Sequence, residues 1–227
     1  MAAREGTLPP AAPGRSRAAQ KAPPRGGWLL KAWAKPLVFT LCLLPLAWLV
    51  WGAAADRLGA NPAEALIRAL GDWTLRGLCL TLAITPARLA LGLTPLARYR
   101  RMLGLFTFFY ALLHLLAYAV FDMGLDVGEI ARDVAKRPFI LVGMAAFAIL
   151  LVLAATSFNR AMRWLGGKRW QRLHRSVYAV AGLAILHFWW MRAGKNNFAE
   201  VWVYGAILAA LLGARVLLNR RRQLSKK

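Results

Sequence analysis

Residues 170–191 read WQRLHRSVYAVAGLAILHFWWM, and the placing of the two histidines in this stretch decides how the chain is read. His174 and His187 stand thirteen residues apart, with the apolar run SVYAVAGLAIL between them. On a helix that step rises about 20 Å, most of the roughly 30 Å hydrocarbon core of a bilayer. One histidine then lies at a membrane face and the other deep in the far half. An ionisable side chain inside a membrane segment is expensive and is a functional candidate by default. The same step turns an ideal helix by about 220°, so depth is argued better than face. A shared face needs a tilt, a bulge near Gly182, or two sites on different sides of the helix.

The composition agrees with a membrane setting. The chain has 227 residues, 59% of them hydrophobic, and a formal net charge of +22. Its mean hydropathy is positive. Several long runs are nearly free of charge, as membrane spans require. The basic excess is spread over short segments between these runs, which argues against a nucleic-acid-binding module. Cys42 and Cys79 lie inside apolar runs, form no CxxC pair and read as buried, inert thiols.

Residues 1–33, rich in Ala, Pro, Arg and Gly, read as a disordered basic tail. Six apolar segments follow, at about 36–53, 74–92, 102–121, 138–157, 172–191 and 199–218. Each approaches the twenty or so residues needed to span. They lack strand alternation, so the expected fold is an all-α integral membrane protein, a six-helix transmembrane bundle over residues 34–219. Residues 220–227 form a basic C-terminal tail. Pro45 is a candidate kink in the first span. Residues 1–35, 88–101, 158–175 and 213–227 together hold 23 Lys/Arg against one acid; the rest of the chain holds eight against eight. Positive loops stay cytoplasmic. Both termini are therefore expected in the cytoplasm, with segments 54–73, 122–137 and 192–198 facing outward. Contact with anionic membrane lipid is a secondary consequence of this charge.

The third histidine, His114, lies in the third span, twelve residues past Met102, about 18 Å from the cytoplasmic start. The fifth span also runs outward, so His114 and His187 are expected at similar depth. Two imidazoles at one depth on two helices can ligate a metal, and a b-type haem is the usual occupant of such a bundle core. Phe109, Leu113, Leu115, Tyr118, Phe188 and Trp189 would suit a macrocycle. The competing readings are a histidine bonded to a neighbouring backbone carbonyl, a proton relay, and zinc, for which no further ligand lies at that depth. His174 has no histidine partner, since positions 100 and 101 are both Arg. It can bind one face of a second haem, take an unusual second ligand, or contact another cofactor. Arg100, Arg101, Arg172 and Arg175 cluster at the same cytoplasmic level. They are candidates for haem propionates, flavin phosphate or quinone oxygens, because guanidinium suits planar anions. No catalytic substrate site of the chain's own is evident.

The segments LAITPARLALG (82–92), RRMLGLFTFFYALLHLLAY (100–118), KRPFILVGMAAFAILLVLAATS (136–157) and LGGKRWQRLHRSVYAVAGLAILHFWW (165–190) resemble the MsrQ family, formerly YedZ. It lies within the ferric-reductase-like transmembrane group, and the likeness covers about residues 36–218. The resemblance implies six helices, haem b (one or two) and flavin mononucleotide (FMN), in a multi-pass protein of the bacterial inner membrane. It implies an electron conduit from the quinone pool or a cytoplasmic flavin reductase to a periplasmic molybdopterin-containing subunit, MsrP, that repairs methionine sulfoxide. His114, His174 and His187 match the family's haem histidines. The wider group carries two histidines on the third helix; here one of the two places is Arg. No nucleotide-binding motif follows the last span. A stand-alone ferric reductase and a His-dependent proton or metal transporter are the alternative functions.

Overall fold

The computed structural model describes residues 25–194 and 196–224, and all of its regular elements are helical. Most of the basic tail, residues 1–24, lies outside the described residues. Its last part is not a free tail. Gly27–Leu30 forms a 3₁₀ turn with Leu29 buried. The Leu29 carbonyl accepts from Tyr99 Oη at 2.6 Å and from Arg98 Nη1 at 3.2 Å.

Helix α1 runs Ala34–Ala54 without interruption, with Pro45 inside it. Proline there removes one ladder bond and disturbs the next. The phenol of Tyr110 fills the gap: it donates to the Cys42 carbonyl at 2.7 Å and accepts from the Leu46 amide at 3.2 Å. A side chain thus replaces the i→i−4 bond that the turn cannot close.

Helix α2 spans Pro62–Leu91. It starts well before the apolar run at 74, which corrects the expectation of a loop over 54–73. The reason is local: the Asn61 side chain caps the Glu64 amide at 3.2 Å, with Pro62 in the first turn. At the other end Gly92, with φ 68°, supplies the left-handed residue that closes the helix. A 3₁₀ turn, Thr94–Tyr99, leads into α3, Arg100–Ala117, which ends in a π-helical turn over Tyr118–Asp122. The expected outer loop 122–137 also contains a helix. Asp126 caps the Glu129 amide at 2.9 Å and starts the amphipathic α4, Val127–Lys136.

The apolar α5, Pro138–Ala155, is followed by two short helices, α6 (Asn159–Leu165) and α7 (Gly167–His174). A tight turn at Arg175 and Ser176 precedes α8, Val177–Ala193. The helix is therefore broken between the two histidines of the opening stretch. That break, rather than a bulge at Gly182, removes the fixed 220° phase between them. Helix α9, Ala199–Leu224, continues through the basic residues Arg220–Arg222.

Among the described residues, five segments are long and apolar enough to cross a membrane: Ala34–Ala54, Pro62–Leu91, Thr94–Asp122, Pro138–Ala155 and Ala199–Leu224. Helix α8, with 17 residues, falls just short because its start is cut by the turn after His174. The outer surface fits a multi-pass membrane protein. Large apolar side chains such as Trp48 (67% exposed) and Trp202 (65%) face outward and find their favourable surroundings in lipid.

Two tight helix pairs make the interior. Helices α2 and α3 meet through small residues: a Cβ on Gly77 would stand 3.0 Å from Thr107 Oγ1, and the Thr81 and Thr107 hydroxyls lie 3.3 Å apart. Small residues let backbones close on each other where lipid offers no hydrophobic drive between helices. The second pair is α5 with α8. Leu75, Leu78, Leu82, Leu150, Val180 and Phe188 fill the space between the pairs, with α9 closing one side.

Candidate cofactor chambers

His114 is carried by α3 and His187 by α8, and the fold turns them toward each other. Their ring centroids lie 6.3 Å apart with the planes at 80°. Each ring is anchored in the same way by the other helix of its pair. His114 Nδ1 lies 2.9 Å from the carbonyl oxygen of Ile67 on α2, and His187 Nδ1 lies 2.6 Å from that of Phe139 on α5. A carbonyl only accepts, so Nδ1 carries the proton in both rings and Nε2 keeps its lone pair. Such a second-shell bond fixes the tautomer and orientation of a metal-ligating histidine.

Four residues beyond each anchoring carbonyl stands a glycine. A Cβ on Gly71 would lie 3.2 Å from Cε1 of His114; one on Gly143 would lie 2.9 Å from both Cε1 and Nδ1 of His187. The glycines clear the helix surface so that each ring can lie against it and reach a carbonyl already bonded within its own helix. Glycine inside a helix costs about 1 kcal/mol against alanine, and here the close ring contact is the reason for it.

The two rings face into a chamber of about 480 Å³. Leu75, Leu78, Ala146, Leu150, Val180 and Phe147 make its inner part apolar, while Asn61, Glu64, Arg68, Asp72, Asp122 and Arg137 lie along the other part. Of the aromatic and aliphatic residues expected around a macrocycle, Leu115, Tyr118 and Phe188 line it. Phe109 and Leu113 pack toward α1 and α2 instead, and Trp189 stacks on Phe198 at 4.6 Å. The donor set fits a haem. Two metal–nitrogen bonds of about 2 Å each, plus the two half-rings, span about 6 Å. Among the described residues no group of three or more His, Cys, Asp or Glu is placed to hold a bare ion. A macrocycle brings its own four nitrogens and needs only an axial pair.

His174 is not part of this pair. It lines a second chamber of about 380 Å³, together with Arg100, Arg101, Arg175, Gln171, Tyr178 and Arg215. Arg172 is not among the lining residues. The ring stacks on Trp170, with centroids 3.9 Å apart, and its Nε2 lies 3.2 Å from Thr156 Oγ1. The Thr156 hydroxyl spends its proton on the Val152 carbonyl at 2.7 Å, so it accepts from Nε2–H. His174 is therefore the opposite tautomer from the other two, with Nε2 occupied. Burial, followed by the charge of Arg100, lowers the affinity of this imidazole for a second proton below its ordinary value. Arg101 Nη1 donates to Asn159 Oδ1 at 2.6 Å. Arg215 Nη1 reaches Thr85 Oγ1 at 3.4 Å, and its guanidinium lies over the Tyr178 ring at 5.2 Å. The Tyr178 hydroxyl is buried with no hydrogen-bond partner among the described residues, an expensive arrangement unless a ligand completes it. Leu78, Thr107 and Leu150 line both chambers, so a wall one side chain thick divides them.

Arg215, Tyr178 and Thr156 escaped the sequence reading, as did Gly71 and Gly143. The two helical glycines carried a signal, since a glycine inside an apolar helix asks for a packing reason. Thr156 and Tyr178 carried none, and Arg215 stood in a segment read as topology.

The ferric reductase like transmembrane component family matches residues 70–185, a range that holds His114 and His174 and ends two residues before His187. A protein-methionine-sulfoxide reductase heme-binding subunit MsrQ of Polaromonas naphthalenivorans is 65% identical over 192 residues, covering 85% of this chain and 88% of the relative. The protein of the same name in Bordetella pertussis is 55% identical over 189 residues, covering 83% and 91%. The magnetosome protein MamZ of Magnetospirillum gryphiswaldense is 43% identical over 187 residues, 80% of this chain but 28% of that protein. No solved structure matches the chain. By the extent of these matches, the chain belongs to the MsrQ family, within the ferric reductase like transmembrane components.

Proposed function

We propose that the chain is a haem-containing electron-transfer subunit of the bacterial inner membrane, in which His114 and His187 are the axial ligands of a b-type haem. The observation that carries this reading is the facing pair: two imidazoles 6.3 Å apart, each with Nδ1–H on a backbone carbonyl and therefore an unprotonated Nε2. A bound haem supplies one-electron exchange at iron, at a potential set by ligands and surroundings. The chain does the rest. It holds both rings in the right tautomer, excludes water with the apolar inner end, and keeps the two chambers within one side chain of each other.

The second chamber is the entry point. Arg100, Arg101, Arg175 and Arg215, with His174 and the orphan Tyr178 hydroxyl, suit a flat, anionic or quinonoid electron carrier. The candidates are a quinol, the phosphate-bearing FMN, or a second haem; His174 can ligate that haem through Nε2 only by leaving Thr156. Helix α8, the fifth in chain order, brings the number of spans to six, since 17 residues rise about 26 Å. Both termini and the second chamber lie on the cytoplasmic side, where the basic loops gather. Electrons arrive there from the quinone pool or a flavin reductase and leave on the outer side. They pass to MsrP, the molybdopterin-containing subunit that reduces methionine sulfoxide in proteins. The relatives' names support this role.

A reduced-minus-oxidised spectrum of protein expressed with ample haem tests the proposal. A b-type signal is expected, lost on His114→Ala and on His187→Ala. Wild-type haem content in either variant would overturn the axial pair.

A further inference from the structure

The outer chamber is polar at one end only. Its inner wall, Leu75, Leu78, Thr107, Ala146, Leu150 and Val180, offers no charge, and the Thr107 hydroxyl is already bonded to the Leu103 carbonyl at 2.9 Å. A haem carries two carboxylates, and burying them at that wall would leave both charges unpaired and desolvated. The other end holds the chamber's two lining arginines, Arg68 and Arg137, together with the carboxylates of Glu64, Asp72 and Asp122.

The two arginines are placed alike. Arg68 follows Ile67, whose carbonyl anchors His114; Arg137 stands two residues before Phe139, whose carbonyl anchors His187. Each is steadied by a carboxylate one turn away on its own helix or at its junction. Arg68 pairs with Glu64, and Arg137 Nε meets Asp133 Oδ1 at 2.9 Å. Asp133 is itself fixed by Tyr118 Oη, which donates to its other oxygen at 2.7 Å. Tyr118 lies one turn beyond His114. One cation is thus set beside each ring anchor, oriented before any ligand arrives.

We propose that Arg68 and Arg137 receive the two propionates of the haem, which therefore sits with its carboxylate edge outward. This rests on the axial pair His114/His187 proposed above. It differs from the sequence-based expectation, which sought propionate partners among the cytoplasmic arginines. Tyr118 and Asp133 are positioning residues for Arg137.

The test compares haem with its dimethyl ester, which keeps the macrocycle and iron but has no carboxylate charge. Detergent-purified protein is loaded with each, and loss to an excess of a haem-scavenging protein is timed. Wild type is expected to lose the ester about tenfold faster or more, since charge-assisted bonds are the strong ones. In Arg68→Gln/Arg137→Gln the ratio is expected to fall to about one, and to an intermediate value in each single variant. Arg132→Gln, an exposed arginine paired with Glu129 outside the chamber, should keep the wild-type ratio. An unchanged ratio in the double variant, or an equal fall in Arg132→Gln, overturns the assignment. So does a wild type that holds haem and ester equally. Should the double variant fold poorly, the single variants decide by the same ratio. A wild type that takes up neither form refutes the axial pair itself, so the two failures are distinguishable.

Discussion

Gly143→Ala puts the ring-anchor arrangement at risk with a single methyl group. A Cβ at this position would stand 2.9 Å from both Cε1 and Nδ1 of His187. Carbon atoms rest at about 3.5–4.0 Å, so the ring must retreat by roughly 0.5–1 Å. It cannot do so freely, because Nδ1 donates to the Phe139 carbonyl at 2.6 Å, on the turn of α5 just before Gly143. Overpacking costs about 1–3 kcal/mol, and loss of the anchoring bond adds about 1 kcal/mol. A total of about 2–4 kcal/mol corresponds to roughly 30- to 1,000-fold weaker haem retention.

Gly71→Ala is the graded comparison. Its Cβ would lie 3.2 Å from His114 Cε1 and 3.3 Å from Nδ1, which a shift of a few tenths of an ångström relieves, so about tenfold or less is expected. Gly182→Ala is the control: nothing lies within 4 Å of its Cβ, and only the helix-propensity gain of up to about 1 kcal/mol remains. The assay is haem per protein after purification, followed by the rate of haem loss. The expected order of retention is wild type and Gly182→Ala together, then Gly71→Ala, then Gly143→Ala. Wild-type retention and an unaltered spectrum in Gly143→Ala would show that the His187 ring does not lie on Gly143 in the loaded protein, and the anchor argument would fail.

Three further outcomes are expected. Tyr110→Phe strips the hydroxyl from the gap in α1, leaving the Leu46 amide and Cys42 carbonyl unbridged; a loss of about 1–2 kcal/mol in detergent unfolding is expected, and an unchanged midpoint refutes it. His174→Ala should leave the outer haem bound while slowing its reduction by an added quinol by about tenfold or more; concurrent loss of the outer haem would contradict the separation of the chambers. Leu150→Ala thins the wall between the chambers and should cost about 2–4 kcal/mol, with faster passive proton leak into dye-loaded liposomes than wild type; a wild-type leak rate would show that Leu150 does not seal it.

The helical membrane character and the depth match of His114 and His187 were legible because both follow from counting. Rise per residue converts sequence separation into depth without any knowledge of packing. Rotation about the helix was not legible in the same way. The turn at Arg175–Ser176 comes from hydrogen bonds such as Ser176 to the Leu173 carbonyl at 3.0 Å, and no proline announces it. The early start of α2 was legible in principle, as Asn61-Pro62-Ala63-Glu64 is a capping signature, but Glu64, Arg68 and Asp72 interrupt the apolar pattern that marks a span. Arg215 shows the other limit. Its charge counted toward topology, yet it stands in the second chamber over Tyr178, a placement fixed by the packing of α9 on α2.

The two ring anchors bear on why the histidine pair is divided between α3 and α8 rather than carried by one helix. Each histidine is held not by its own helix but by a carbonyl of its tight partner, α2 for His114 and α5 for His187. The distance between the rings is therefore the distance between two rigid helix pairs. Between those pairs the Phe108 and Phe147 rings stack at 5.8 Å, and Leu78, Thr107 and Leu150 close the inner end. A ligand gap set by four helices resists the motion of any single one. Low structural reorganisation on gaining and losing an electron is what a transfer centre needs, and preorganised surroundings supply it. The wall beneath carries no titratable side chain, so in the proposed role it passes an electron between chambers while offering a proton no place to rest.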